Sequence, residues 1–82
     1  MASRQDLMDW VHEAIGSLGG EASIVGVAKH IWEQHEDELR ASGELFYTWQ
    51  YDMRWAAQRL RDDDKLEAAA DMPRGMWALK SP

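Results

Sequence analysis

Apolar residues recur at helical spacing in three segments of this chain and at alternating spacing near its end. In the first segment Leu7, Val11, Ala14 and Leu18 form one stripe, widened by Trp10 and Ile15. Ser3-Arg4-Gln5-Asp6 has the form of a capping box with aspartate where glutamate is usual, so a helix is expected to begin near Arg4. Gly19-Gly20 should stop it through a left-handed cap. Asp9 and Glu13 lie on its outer face, which makes this helix a poor surface for nucleic acid.

Glu21-Ala22 is long enough only for a bridge strand, and Ser23 then caps a second helix. Ile24, Val27, Ala28, Ile31 and His35 share one face, with Trp32 one turn beyond Ala28. Gly26 in the first turn costs up to about 1 kcal/mol relative to alanine, which points to a close helix-to-helix approach. The pattern weakens through Leu39, and Gly43 is the next stop. A break near His35 and a continuous helix to about Ala41 both fit.

The third segment is a helix over 48–62 with Thr48 as its N-cap. Its buried stripe is Phe46, Trp49, Met53, Ala56, Ala57 and Leu60. Tyr47, Tyr51, Arg54, Gln58 and Arg61 fall together on another side, with Gln50 at the margin. These residue types meet phosphates, sugars and base edges when a helix enters a major groove, and they equally make a solvated polar face. Trp55 lies off the core stripe, to be packed beneath the terminal hairpin near Trp77 or left partly exposed as an interface anchor.

From Lys65 the pattern changes. Lys65–Ala70 occupies the place of one strand and Met76–Leu79 of another, joined by the turn 71–75, Asp71-Met72-Pro73-Arg74-Gly75. Alanine is a weak strand former, and local propensity alone would make Leu66–Ala70 helical. The order predicts a mainly α chain with a small β-hairpin, in the manner of a winged helix-turn-helix: three helices and a C-terminal wing in a single domain, 1–82. Trp49, Met53, Leu60, Leu18, Ile31 and Leu79 should share one core. No tail is expected beyond Ser81-Pro82.

Composition supplies the apolar mass through five tryptophans in 82 residues. Without cysteine there is neither a disulfide framework nor a thiolate metal site. No apolar run approaches the roughly 20 residues that span a bilayer, and no signal-peptide core is present, so the default location is cytoplasmic without membrane partners. The net charge of -6 is uneven: residues 1–41 hold three basic against eight acidic residues, and residues 42–82 hold six against seven. A polyanion could approach only from the C-terminal half.

Candidate chemistry is sparse. His35-Glu36-Asp37-Glu38 with Glu33 has metal-ligand residue types, but His30 and His35 are five apart and point to different sides of a helix. A solvated acidic helix end is the better reading, and His12 reads as a surface or half-buried neighbour of the first helix. No phosphate loop, nucleophile elbow or metalloprotease motif occurs, so no enzyme, cofactor, metal or small-molecule substrate is expected.

Arg54-Trp55-Ala56, Leu60, Leu66 and Pro73-Arg74-Gly75-Met76-Trp77-Ala78-Leu79 resemble the closing motif of the winged-helix domain at the N-terminus of Mrr-type restriction endonucleases. Leu18-Gly19-Gly20-Glu21-Ala22-Ser23-Ile24 resembles that family's turn into its second helix. In that family the domain is taken to bind DNA and to deliver a separate nuclease domain, and the resemblance implies the DNA-binding role for Tyr51, Arg54, Gln58 and Arg74, while nothing in these residues implies the nuclease. The expected function is therefore duplex-DNA binding as a small stand-alone regulator or accessory factor. Tyr47, Gln50 and Arg61 complete the expected DNA-facing set. Asp62-Asp63-Asp64 departs from the family's basic residue and glycine, although Asp64 can adopt the left-handed conformation of a glycine. The alternative is a protein-interaction module on the same fold.

Overall fold

The computed structural model describes residues 2–80; Ser81 and Pro82 lie outside them. Three helices are followed by a short strand that pairs back to another lying just before the second helix: α1 (Asp6–Ser17), β1 (Glu21–Ser23), α2 (Ile24–Arg40), α3 (Leu45–Asp62) and β2 (Met76–Ala78). The chain is therefore mainly helical with a small two-stranded antiparallel sheet, in which Ala22 faces Trp77.

Helix α1 starts at Asp6, two residues later than expected. The Ser3 N–H donates to Asp6 Oδ2 at 2.8 Å, which is one half of the expected capping box. Its end is as expected: Gly19 and Gly20 have φ of 101° and 93°, and the Gly20 N–H donates to the Ile15 carbonyl at 2.8 Å. Leu18, expected in the core, is instead 43% exposed as the C-cap residue just beyond the end of α1.

The hydroxyl of Ser23 caps α2 by accepting from the Gly26 N–H at 2.9 Å. That cap, rather than a helix-to-helix approach, explains Gly26. A Cβ there would lie 3.0 Å from Ser23 Oγ. Helix α2 both bends and continues: His35 has φ -131° and ψ 22°, and helix resumes as far as Arg40. Gly43, with φ 61°, turns the chain toward α3.

Helix α3 starts at Leu45, so Thr48 is not its N-cap. Leu45 and Phe46 extend the apolar stripe one turn earlier than the capping signal suggested, and the Thr48 hydroxyl bonds Asp52 Oδ2 at 2.8 Å within the helix. At the other end Asp64 does take the left-handed conformation (φ 65°), and the Lys65 N–H closes on the Leu60 carbonyl at 2.8 Å. Phe46 is half-buried, and the rest of the expected stripe of α3, from Trp49 to Leu60, is buried. This stripe packs mainly on α1, whose Leu7, Val11, Ala14 and Ile15 are inaccessible, with Val27, Ile31 and Leu39 of α2 closing the core.

The expected terminal hairpin is much reduced. Its first strand is a single bridge, Leu66 to Leu79, flanked by the Glu67 N–H on the Ala78 carbonyl at 3.0 Å. Ala69–Asp71 forms one 3-10 turn, which suits alanines that have no branched side chain to pack on a pleated surface. Neither helix nor regular strand spans 66–75. The better-formed pairing of β2 is with β1, extended by the Leu79 N–H on the Gly20 carbonyl and the Ile24 N–H on the Gly75 carbonyl, both at 2.9 Å.

Candidate nucleic-acid interface

The outward side of α3 gathers six of the expected residues. At 100° per residue, Tyr47, Gln50, Tyr51, Arg54, Gln58 and Arg61 fall within about 100° of arc. Tyr47 is 83% exposed and Tyr51 79%, one turn apart, so two aromatic rings stand largely in solvent, that of Tyr47 meeting the Phe46 ring edge-on with centroids 5.0 Å apart. Arg54 and Gln50 are exposed beside them. Gln58 is partly engaged: its Nε2 donates to Asp62 Oδ1 at 3.1 Å, leaving the amide oxygen free of that bond.

Arg61 differs from the other five. It is half-buried, and its Nε is shielded from solvent with no acceptor among the described residues. It shares a hollow with Ile24, Pro73, Arg74 and Trp77. Arg74 is exposed at the second position of a four-residue turn, in which the Met76 N–H closes on the Pro73 carbonyl at 3.2 Å and Gly75 takes a φ of 80°. The Ile24–Gly75 backbone bond ties this turn to the first residue of α2. Arg61 and Arg74 are thereby brought together from positions thirteen residues apart.

On the other side of Ile24 lies a groove of about 590 Å³ between α2 and α3. Trp32, Trp49 and Met53 form its floor, and Lys29 and Arg54 stand at its rim. Trp32 and Trp49 stack with centroids 6.0 Å apart and planes 8° from parallel. Arg40, paired with Glu36 at 2.8 Å, lies over the Trp32 ring at 5.2 Å.

Charge is segregated on the molecule. The groove and the hollow together are lined by Lys29, Arg54, Arg61 and Arg74 and by no carboxylate, although the chain has 15 acidic residues against nine basic ones. None of these four cations is in a salt bridge among the described residues. A third hollow, beside Trp10, is lined instead by Asp6, Asp37 and Glu38. Lys29 was absent from the expected set because a sequence read helix by helix does not show that α2 lends its exposed side to the groove beside α3.

Trp55 is half-buried against the core, with the Arg4 guanidinium 4.0 Å above its ring. Among the described residues no group of three or more histidine, cysteine or carboxylate side chains is placed to hold a metal ion, and no helix is long and apolar enough to cross a membrane. No protein-family model, no curated protein and no solved structure matches this chain.

Proposed function

We propose that the chain is a winged-helix protein that binds duplex DNA, with α3 in the major groove and the 71–75 turn as a reduced wing on the adjacent backbone. The observation that carries this reading is that Lys29, Arg54, Arg61 and Arg74 line the groove beside α3 and the hollow under the turn, neither of which is lined by a carboxylate, in a chain of net charge -6; acidic residues, Asp62 to Asp64 and Asp71, stand at the end of α3 and the start of the turn. A random surface of so acidic a protein would include several carboxylates. Counterion release by such a strip is the main source of affinity for DNA. Tyr47, Gln50, Tyr51 and the Gln58 amide oxygen supply groups for sugars and base edges. The resemblance to the Mrr-type N-terminal domain is consistent with this role, and no catalytic part is assigned to any residue.

Titrating a labelled duplex with the protein at two salt concentrations tests the reading. Salt-sensitive binding is expected; no binding at low salt and high protein concentration would remove it. A protein-interaction module is the second reading, favoured by the apolar floor under Lys29 and Arg54 and by the exposure of Tyr47 and Tyr51.

A further inference from the structure

The groove between α2 and α3 has a feature that DNA does not use. Its floor is apolar, built from the stacked Trp32 and Trp49 with Met53 beside them, whereas a DNA backbone presents charged phosphates between its sugars. The exposed Tyr47 and Tyr51 stand on the outer ridge of α3, away from that floor, so a duplex lying on the ridge leaves the groove unfilled. Val25, 69% exposed, adds apolar surface at the α2 end.

We propose that this groove docks a short acidic amphipathic helix of a partner protein, with two apolar side chains on the floor and carboxylates on Lys29 and Arg54. Three observations choose this occupant. First, the lining is cationic and lacks any carboxylate, which complements an acidic segment and rejects a basic one. Second, both walls are helices, so the groove offers no strand edge for an extended peptide and the helix-in-groove mode remains. Third, the lining runs from Ile24 to Trp32 on one wall and from Phe46 to Arg54 on the other. Each run spans about 12 Å at 1.5 Å per residue, enough for two turns of a docked helix and hence for anchors at i and i+4.

Lys29 and Arg54 belong to both surfaces, so the docked helix and DNA compete. The acidic partner is then a negative regulator of the proposed DNA binding. Docking itself does not depend on that reading, but the regulatory role rests on it.

The test is an NMR titration of the full chain with a synthetic helical peptide of about 12 residues, leucine at two positions four apart and Asp or Glu on its other faces. Shifts of the Trp32 and Trp49 indole N–H signals are expected. The exposed-site variants Lys29→Glu and Val25→Glu should each weaken binding about tenfold or more. A peptide with lysine in place of the acids should not bind. Arg74→Ala, on the far side of Ile24, should leave peptide affinity unchanged while weakening duplex binding. The proposal is overturned if the acidic peptide produces no shift at millimolar concentration, if the lysine peptide binds equally well, or if sedimentation shows that a second copy of the chain fills the groove in a Lys29-dependent way. Peptide binding with no duplex binding at low salt would refute the DNA reading alone, and with it the regulatory role.

Discussion

The imidazole of His35 lies face to face on the indole of Trp10, with ring centroids 4.0 Å apart and planes 8° from parallel. This stack coincides with the bend in α2, where His35 leaves helical dihedrals, and its Nδ1 is 2.9 Å from Glu38 Oε1. The bend carries the second half of α2 across α1 and brings Leu39 into the core. A histidine set among residues of metal-ligand type is thus a packing residue that joins two helices.

Replacing His35 should show which contact matters. Aromatic pairs contribute about 0.5–1.5 kcal/mol beyond their area burial, so His35→Ala should lose about 1–2 kcal/mol in urea denaturation while His35→Phe retains most of the stability. Equal losses in the two variants would assign the effect to the Glu38 contact instead.

Ser23 and Gly26 should behave as a coupled pair. Ser23→Ala removes the α2 cap and should cost about 1 kcal/mol. Gly26→Ala would normally gain up to about 1 kcal/mol in a helix, but its Cβ would sit 3.0 Å from Ser23 Oγ. The gain should therefore be larger in a Ser23→Gly background than in the native chain, and a double-mutant cycle measures the difference. Strict additivity would show that the hydroxyl moves aside without penalty.

Asp64 combines a backbone role with a side-chain role. Its left-handed conformation predicts that Asp64→Ala loses about 1 kcal/mol and Asp64→Gly less. Its carboxylate also holds the Lys80 ammonium, whose pKa is raised first by that hydrogen bond and then by the Asp64 charge. A lysine with a raised pKa stabilises fully below its ordinary value of 10.5 and loses that contribution as pH rises past the raised one. Alkaline unfolding should accordingly be less steep in Asp64→Gly than in the native protein, and an unchanged slope would separate the pair from stability.

The parts of this fold legible in the sequence were those set by one residue acting on its own backbone. Ser23 as a cap, Gly19-Gly20 as a stop and Asp64 as a left-handed residue are of this kind. Thr48 misled because the same hydroxyl that caps a helix also bonds a carboxylate one turn along it, whereas the packing of Leu45 on the core and of Phe46 beside Trp32 favours an earlier start for α3. The wing strand failed because three consecutive alanines carry no side-chain information about pairing. For the site, the outward face of α3 was legible from periodicity. Lys29 was not, since it becomes part of the site only when α2 packs beside α3.

The DNA reading makes a quantitative demand on salt dependence. Lys29, Arg54, Arg61 and Arg74 are the cations that line the groove and the hollow. If each neutralises one phosphate, the slope of log K against log salt should lie near roughly -3 to -4, and Arg74→Ala should reduce its magnitude by about 0.9. Arg54→Ala should weaken all sequences alike if it meets phosphate, or change the preferred sequence if it meets a guanine edge. Affinity should be modest in a monomer, because Asp62, Asp63 and Asp64 close the end of α3 beside the strip and repel the backbone. Converting Asp62 and Asp63 to asparagine should therefore tighten binding at low salt and leave the effect small at high salt, where screening already removes the repulsion. An unchanged affinity at low salt in that variant would place the DNA away from the C-terminal end of α3, and the proposed orientation of the helix in the groove would have to be abandoned.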